Sequence, residues 1–233
     1  MSKTVSFVSL GPGYVDYITM KALRRLSDAD IIFCPATKNK DGNVISRTND
    51  LICDLGLKKC IRLFIVPMER DRTKALEIYR AIADEINEFS LQEKRIVVAV
   101  EGDAGIYAST HYIMDFLKEM NIPVSQISGV PSFIAAGACA QLQMVEQDER
   151  LVVVPGNVTA EELDSYFATN HTVVIMKLTK CQDVVKEYIV NHPELNYHYI
   201  ENASLPEREY YTTDKEELIS KVFPYFSLMI IKH

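Results

Sequence analysis

Three apolar runs in this chain stop abruptly on glycine. Residues 4–10 (TVSFVSL) run into Gly11-Pro12-Gly13, and residues 95–100 (RIVVAV) into Glu101-Gly102-Asp103-Ala104-Gly105-Ile106-Tyr107. Residues 124–127 run into Ser128-Gly129-Val130-Pro131-Ser132. Each reads as a buried strand, a glycine turn and then a helix. The run at 95–100 has no polar alternation, the pattern of a strand covered on both faces in a parallel sheet. In such sheets ligands gather at the C-terminal ends of strands. Glycine lets the main chain come close to them. Three ends of this kind in one chain point to a small-molecule site.

The spacing of apolar residues supplies the rest of the first half. A helix is expected over 19–26 with Thr19 as its N-cap, a short strand over 31–33 ending at Pro35, and a polar loop over 36–43. Residues 46–55 read as helix and 61–66 as strand. Residues 72–89 form the clearest helix, with Leu76, Tyr79, Ile82 or Ala83, Ile86 and Phe89 on one face. A further helix is expected over 109–120. Asn121-Ile122-Pro123 reads as a break, which divides the chain into domains 1–121 and 122–233. The second domain reads as strands at 124–127, 151–154 and 173–176, with helices at 132–142, 160–167 and 182–190. Three more strands, at 197–200, 209–212 and 228–231, have little helix between them, which suggests antiparallel pairing. The expected architecture is α/β: a parallel α/β first domain and a mixed α/β second domain.

Composition narrows the function. With 233 residues, 48% apolar and 24% charged, the chain can bury two ordinary cores. A formal net charge of -7 argues against general nucleic-acid binding, which needs a basic face. The five cysteines are scattered and form no CxxC, which excludes a disulfide framework and a structural zinc site and suits a reducing cytoplasm. No apolar run approaches the ~18 residues needed to cross a bilayer. The five histidines offer no metal-ligand spacing: His192 and His198 are separated by a proline-containing stretch. No metal is expected, and no Ser-His-Asp or Cys-His arrangement is visible.

Each motif alone has a plain structural reading. Gly11-Pro12-Gly13 is no dinucleotide fingerprint, since Asp16 stands where the last glycine would. Pro12 also removes a donor that a phosphate cradle would use. Asp103 orients a ligand or caps a helix. Ser132 caps the helix that follows it. Basic residues collect at Lys38, Lys40 and Arg47 and again at Arg70, Arg72 and Lys74. They are either solvated surfaces or, in so acidic a protein, an anion site.

Taken in order, the motifs resemble the tetrapyrrole methylase family, the class III S-adenosylmethionine-dependent methyltransferases. Ser9-Leu10-Gly11-Pro12-Gly13 with Ile18-Thr19-Met20-Lys21-Ala22 is similar to the family's opening loop and helix. Gly102-Asp103-Ala104-Gly105-Ile106-Tyr107 is similar to its Gly-Asp-Pro-x-x-Tyr segment, and Ser128-Gly129-Val130-Pro131-Ser132 to its Pro-Gly-x-Ser-Ser segment. Tyr14, Ala104 and Ser128 depart from the pattern. Within the family the chain looks most like the precorrin-2 C20-methyltransferases. The closer match lies in Pro67-Met68-Glu69-Arg70-Asp71, in the stretch from Asp148 to Pro155, in Ile175-Met176-Lys177, and in Ser204-Leu205-Pro206-Glu207-Arg208.

The resemblance implies a two-domain tetrapyrrole methylase fold with its active site in the cleft between the domains. It implies S-adenosylmethionine held by Pro12, Glu101, Gly102, Asp103 and Ile106, by Ser132 and Phe133, and by Met176, Ala203 and Ser204. It also implies a reduced tetrapyrrole substrate, precorrin-2 or cobalt-factor II, methylated at the C20 meso carbon, and a homodimer; composition adds the expectation of a cytoplasmic protein with no nucleic-acid or membrane partner. Such a substrate carries eight carboxylates, so Lys38, Arg47, Arg70, Arg72 and Lys177 are expected to supply charge to it. Alignment of the reacting atoms rather than acid–base machinery would drive the step, and no general base is assigned. The alternatives are a superfamily member acting on another ring carbon or on RNA, or a non-catalytic tetrapyrrole-binding module.

Overall fold

In a computed structural model of the chain, residues 4–39, 41–66 and 73–233 are described. Two units are resolved, Met1–Pro131 and Ser132–His233. The first contains β1 (Val5–Ser9), α1 (Met20–Asp28), β2 (Ile31–Lys38), β3 (Val44–Ile45), α2 (Arg47–Asp54), β4 (Cys60–Ile65), α3 (Thr73–Leu91), β5 (Ile96–Val100), α4 (His111–Glu119) and β6 (Val124–Ile127). Its sheet runs β4-β2-β5-β1-β6 with every pair parallel, and β3 joins the far end of β2 antiparallel.

All five residues of β1 and of β5 are buried, as strands covered on both faces must be. One face packs Phe7, Phe33, Ile96 and Val98 against Tyr79, Ala83 and Ile86 of α3 and Ile113 and Leu117 of α4. The other packs Val8, Ile32, Val97 and Ala99 against Ala22 and Leu26 of α1 and Leu51 and Ile52 of α2. Burying each large side chain contributes about 1.5–3 kcal/mol. Local signals set the helix starts: Thr19 Oγ1 accepts the Ala22 amide at 3.2 Å and Ser46 Oγ accepts that of Asn49 at 3.2 Å.

The second unit contains α5 (Ser132–Cys139), β7 (Arg150–Val154), α6 (Ala160–Phe167), β8 (His171–Met176), α7 (Gln182–Asn191), β9 (Asn196–Glu201), β10 (Tyr210–Thr212), α8 (Lys215–Ser220) and β11 (Ser227–Lys232). Its sheet runs β10-β9-β11-β8-β7; only β7 and β8 are parallel. One face packs Val173, Ile175, Tyr197, Tyr199, Met229 and Ile231 under α6, α7 and α8. The other packs Val174, Ile200, Leu228 and Ile230 under Phe133 and Ala136 of α5. Thr159 and Glu162 close a reciprocal capping box at the start of α6.

Four sequence expectations change. The boundary falls after Pro131 rather than at 121/122, because β6 pairs in parallel with β1 and so stays in the first sheet. The strand expected to end at Pro35 runs on to Lys38 and turns back as β3. β5 flanks β2 only to Phe33, so the proline interrupts no ladder on that side. α5 stops at Cys139, short of residue 142. Gln141 turns left-handed at φ 53, while the amides of Gln141 and Leu142 reach back to the carbonyls of Ala138 and Gly137. Finally, α8 was not expected at all; Asp214 caps it, accepting the Glu216 amide at 2.9 Å.

Candidate functional site

β5, β1 and β6 are neighbours, so the three glycine turns that follow them meet at one end of the first sheet. They are tied together by main chain. Gly11 and Gly102 exchange hydrogen bonds, at 3.1 Å from the Gly11 amide and 2.7 Å from the Gly102 amide. Both have left-handed torsions, φ 75 and φ 73. Buried Ser9, the last residue of β1, accepts the Ala104 amide through Oγ at 2.9 Å. A Cβ on Gly129 would stand 2.5 Å from the Cβ of Ser9 and 2.9 Å from the Gly102 carbonyl oxygen, so only glycine lets these loops meet. At Gly102 a Cβ would point into open space.

Asp103 is the joint. Its Oδ1 accepts the Gly105 amide at 2.7 Å and its Oδ2 accepts the Gly129 amide at 2.6 Å. It therefore caps no helix; it fastens the loop after β5 to the loop after β6. Each carboxylate oxygen keeps a second lone pair for a ligand. Pro12 is buried beside this junction in sequence, while Ile106 and Tyr107 are exposed, Tyr107 at φ 52. Glu101 meets Arg47 of α2, Oε1 to Nε, at 3.2 Å. Burial pushes the Glu101 carboxyl above the usual carboxylate range, against the pull of Arg47.

In the second unit, Phe133 and Ala203 lie in one apolar cluster with Met176 packed against it. α5 begins at Ser132 itself. Ser204 follows Ala203 at φ 73 and is 5% exposed, and its Oγ has no partner among the described residues. Lys177 leaves β8 at φ 59 and Asn202 leaves β9 at φ 47. Left-handed torsions at non-glycine residues cost energy and persist where the surroundings impose them, as at ligand sites.

The sequence candidates thus fall into two sets, one per unit. Among the basic residues, Arg47 pairs with Glu101, Lys38 ends β2 in an exposed position, and Lys177 stands beside Met176. Arg70 and Arg72, with the Pro67-Met68-Glu69-Arg70-Asp71 stretch, lie outside the described residues. Two participants were not foreseen. Ser9 was signalled only as a polar residue closing an apolar strand, and Glu209, which accepts the Ser204 amide at 2.6 Å, left no local signal. Among the described residues no group of His, Cys, Asp and Glu could hold a metal ion, and no helix is long and apolar enough to cross a membrane.

The sequence pattern of the family described as Tetrapyrrole (Corrin/Porphyrin) Methylases matches residues 4–219. A Methanocaldococcus jannaschii protein named probable cobalt-precorrin-2 C(20)-methyltransferase is 26% identical over 231 residues, covering 99% of this chain and 96% of that protein. A Sinorhizobium protein named precorrin-2 C(20)-methyltransferase is 25% identical, covering 96% and 93%. The crystal structure of Thermus thermophilus uroporphyrin-III C-methyl transferase complexed with S-adenyl homocysteine is similar in fold. It gives a TM-score of 0.68 at 18% identity and covers 99% of this chain and 92% of that one. With the family's pattern extending over nearly all of its residues, the chain belongs to the tetrapyrrole methylases.

Proposed function

We propose that this protein methylates the C20 meso carbon of precorrin-2 or its cobalt complex, in corrin-ring biosynthesis, using S-adenosylmethionine. The observation that carries the reading is likeness along the whole chain, at 26% and 25% identity, to two proteins named for that C20 transfer. The residues present suit the donor. The Gly11–Gly102 bridge and the open space beside Gly102 let a ligand approach main chain. The unpartnered Ser204 hydroxyl offers a buried polar group for a ligand to satisfy.

S-adenosylmethionine supplies the methyl group from a sulfonium that leaves readily. The chain's own contribution is to hold and align. Pro12, Glu101, Gly102, Asp103, Ile106, Ser132, Phe133, Met176, Ala203 and Ser204 are the residues that would hold the donor. Lys38, Arg47, Lys177, Arg70 and Arg72 meet the substrate's carboxylates. Reacting atoms held about 3–3.5 Å apart need little further help. The working form is a cytoplasmic homodimer.

Incubation with isotopically methyl-labelled S-adenosylmethionine and each substrate form, followed by mass spectrometry and NMR of the product, tests the reading. One label at C20 is the expected result. A label on another ring carbon assigns a different member of the family, and binding without product makes the chain a tetrapyrrole-binding module. RNA is disfavoured as substrate by the net charge of -7.

A further inference from the structure

The loop that follows β9 is closed on itself. The Asn202 amide donates to the Phe226 carbonyl at 2.8 Å, and the Arg208 and Glu209 amides both return to the Leu205 carbonyl, at 2.8 and 2.7 Å. Inside it, Asn202 and Ser204 both occupy the left-handed region, which side-chain-bearing residues hold only when neighbours impose it. At Ser204 the imposing group is identifiable. Glu209 Oε1 takes the Ser204 amide at 2.6 Å, a short bond to an ionisable acceptor. Burial first, and the Glu209 carboxylate second, push the thiol of Cys139, at the end of α5, up to about 11. The outcome is a buried serine whose amide is satisfied and whose hydroxyl has no partner among the described residues.

We propose that Glu209 is a positioning residue of the donor pocket: by holding the Ser204 amide, it keeps the Ala203–Ser204 turn and the Ser204 hydroxyl set for S-adenosylmethionine. This rests on the reading of Ala203 and Ser204 as donor-binding residues. Glu209 touches neither donor nor substrate; its effect passes through the turn. The role requires an acceptor oxygen at this position, not a negative charge as such.

Three full-length proteins decide it: wild type, Glu209→Ala and Glu209→Gln. Amide exchange at Ser204 reads the turn without any ligand, and calorimetric titration with S-adenosylhomocysteine reads the pocket. In Glu209→Ala the Ser204 amide should exchange faster and affinity should fall about tenfold or more, the loss expected for one hydrogen bond to a charged acceptor. KM for S-adenosylmethionine should rise while kcat stays near wild type. Glu209→Gln keeps an acceptor oxygen and should recover most of the affinity. Should Glu209→Ala fail to fold, Glu209→Met fills the same space without an acceptor and carries the same expectation. Unchanged exchange at Ser204, wild-type affinity in Glu209→Ala, or a Glu209→Gln as weak as alanine would each overturn the proposal. A wild-type protein that binds no S-adenosylhomocysteine would instead remove the donor reading, and this role with it.

Discussion

Asp103 accepts the amide of Gly129 at 2.6 Å, across 26 residues of chain, and with its other oxygen the amide of Gly105 at 2.7 Å. One carboxylate thus sets the distance between the loops that follow β5 and β6. Asp103→Ala should weaken S-adenosylhomocysteine binding at least about tenfold, or ~1.4 kcal/mol. It should also lower unfolding free energy by about 1–3 kcal/mol through the amides left unpaired. Calorimetry and urea unfolding on the same samples separate the two effects; wild-type affinity in a folded variant would remove Asp103 from the site.

Two glycines at the junction should respond differently. Gly129→Ala places a methyl 2.9 Å from the Gly102 carbonyl oxygen, where main chain must move. A stability loss of about 1–3 kcal/mol or more is expected. Gly102→Ala meets nothing within 4 Å and bears only the cost of φ 73, about 1–2 kcal/mol. Its methyl occupies the space a ligand would need, so affinity for S-adenosylhomocysteine should fall much further than the loss of stability alone would suggest.

Arg47 and Glu101 make a pH prediction. Burial raises the Glu101 carboxyl and Arg47 opposes the shift. A carboxyl raised in the folded state favours folding while protonated, and that advantage is lost as pH climbs from the ordinary value of 4.5 through the raised one. Arg47→Ala removes the opposing pull, so its urea midpoint should fall more steeply than wild type across that window. The Arg47→Ala/Glu101→Gln pair should flatten the dependence again. Parallel midpoint curves for wild type and Arg47→Ala would show that the pair contributes nothing to the folded state.

The cysteines should sort by burial. Cys53 and Cys60 are exposed, whereas burial pushes the thiols of Cys34 and Cys181 up to about 12 and about 11. Thiolate is the reactive form. At pH 8 an aromatic disulfide reagent should therefore modify Cys53 and Cys60 first, and Cys34 only as the protein unfolds. Peptide mapping after a short pulse checks the order; early labelling of Cys34 would contradict the core of the first sheet.

A strand without alternation, such as β5, could be read from sequence because both faces of a parallel sheet demand apolar side chains. A helix start could be read where a hydroxyl stands at the cap, as at Thr19, whereas Ser46, read as the first residue of its helix, turns out to be the cap. β6 was recognised as a strand but assigned to the wrong sheet, since nothing local records that Val124 lies beside Val5. α8 had a legible start, Asp214 ahead of Glu216 and Glu217, but its six residues carry too little apolar periodicity to stand out. The glycine turns marked the candidate site well. The pairings that shape it did not show: Asp103 with Gly129 joins distant segments, and Ser204 with Glu209 depends on a closed loop.

β11 lies in the middle of its sheet, between β9 and β8, although it comes after every other strand in the chain. During synthesis β7 with β8, and β9 with β10, can form only separate ribbons until residues 227–232 have emerged. The half-built sheet then exposes two unpaired inner edges, an open invitation to aggregate. The late-arriving strand makes the second unit dependent on prompt emergence of residues 227–232 or on a chaperone that shields those edges meanwhile.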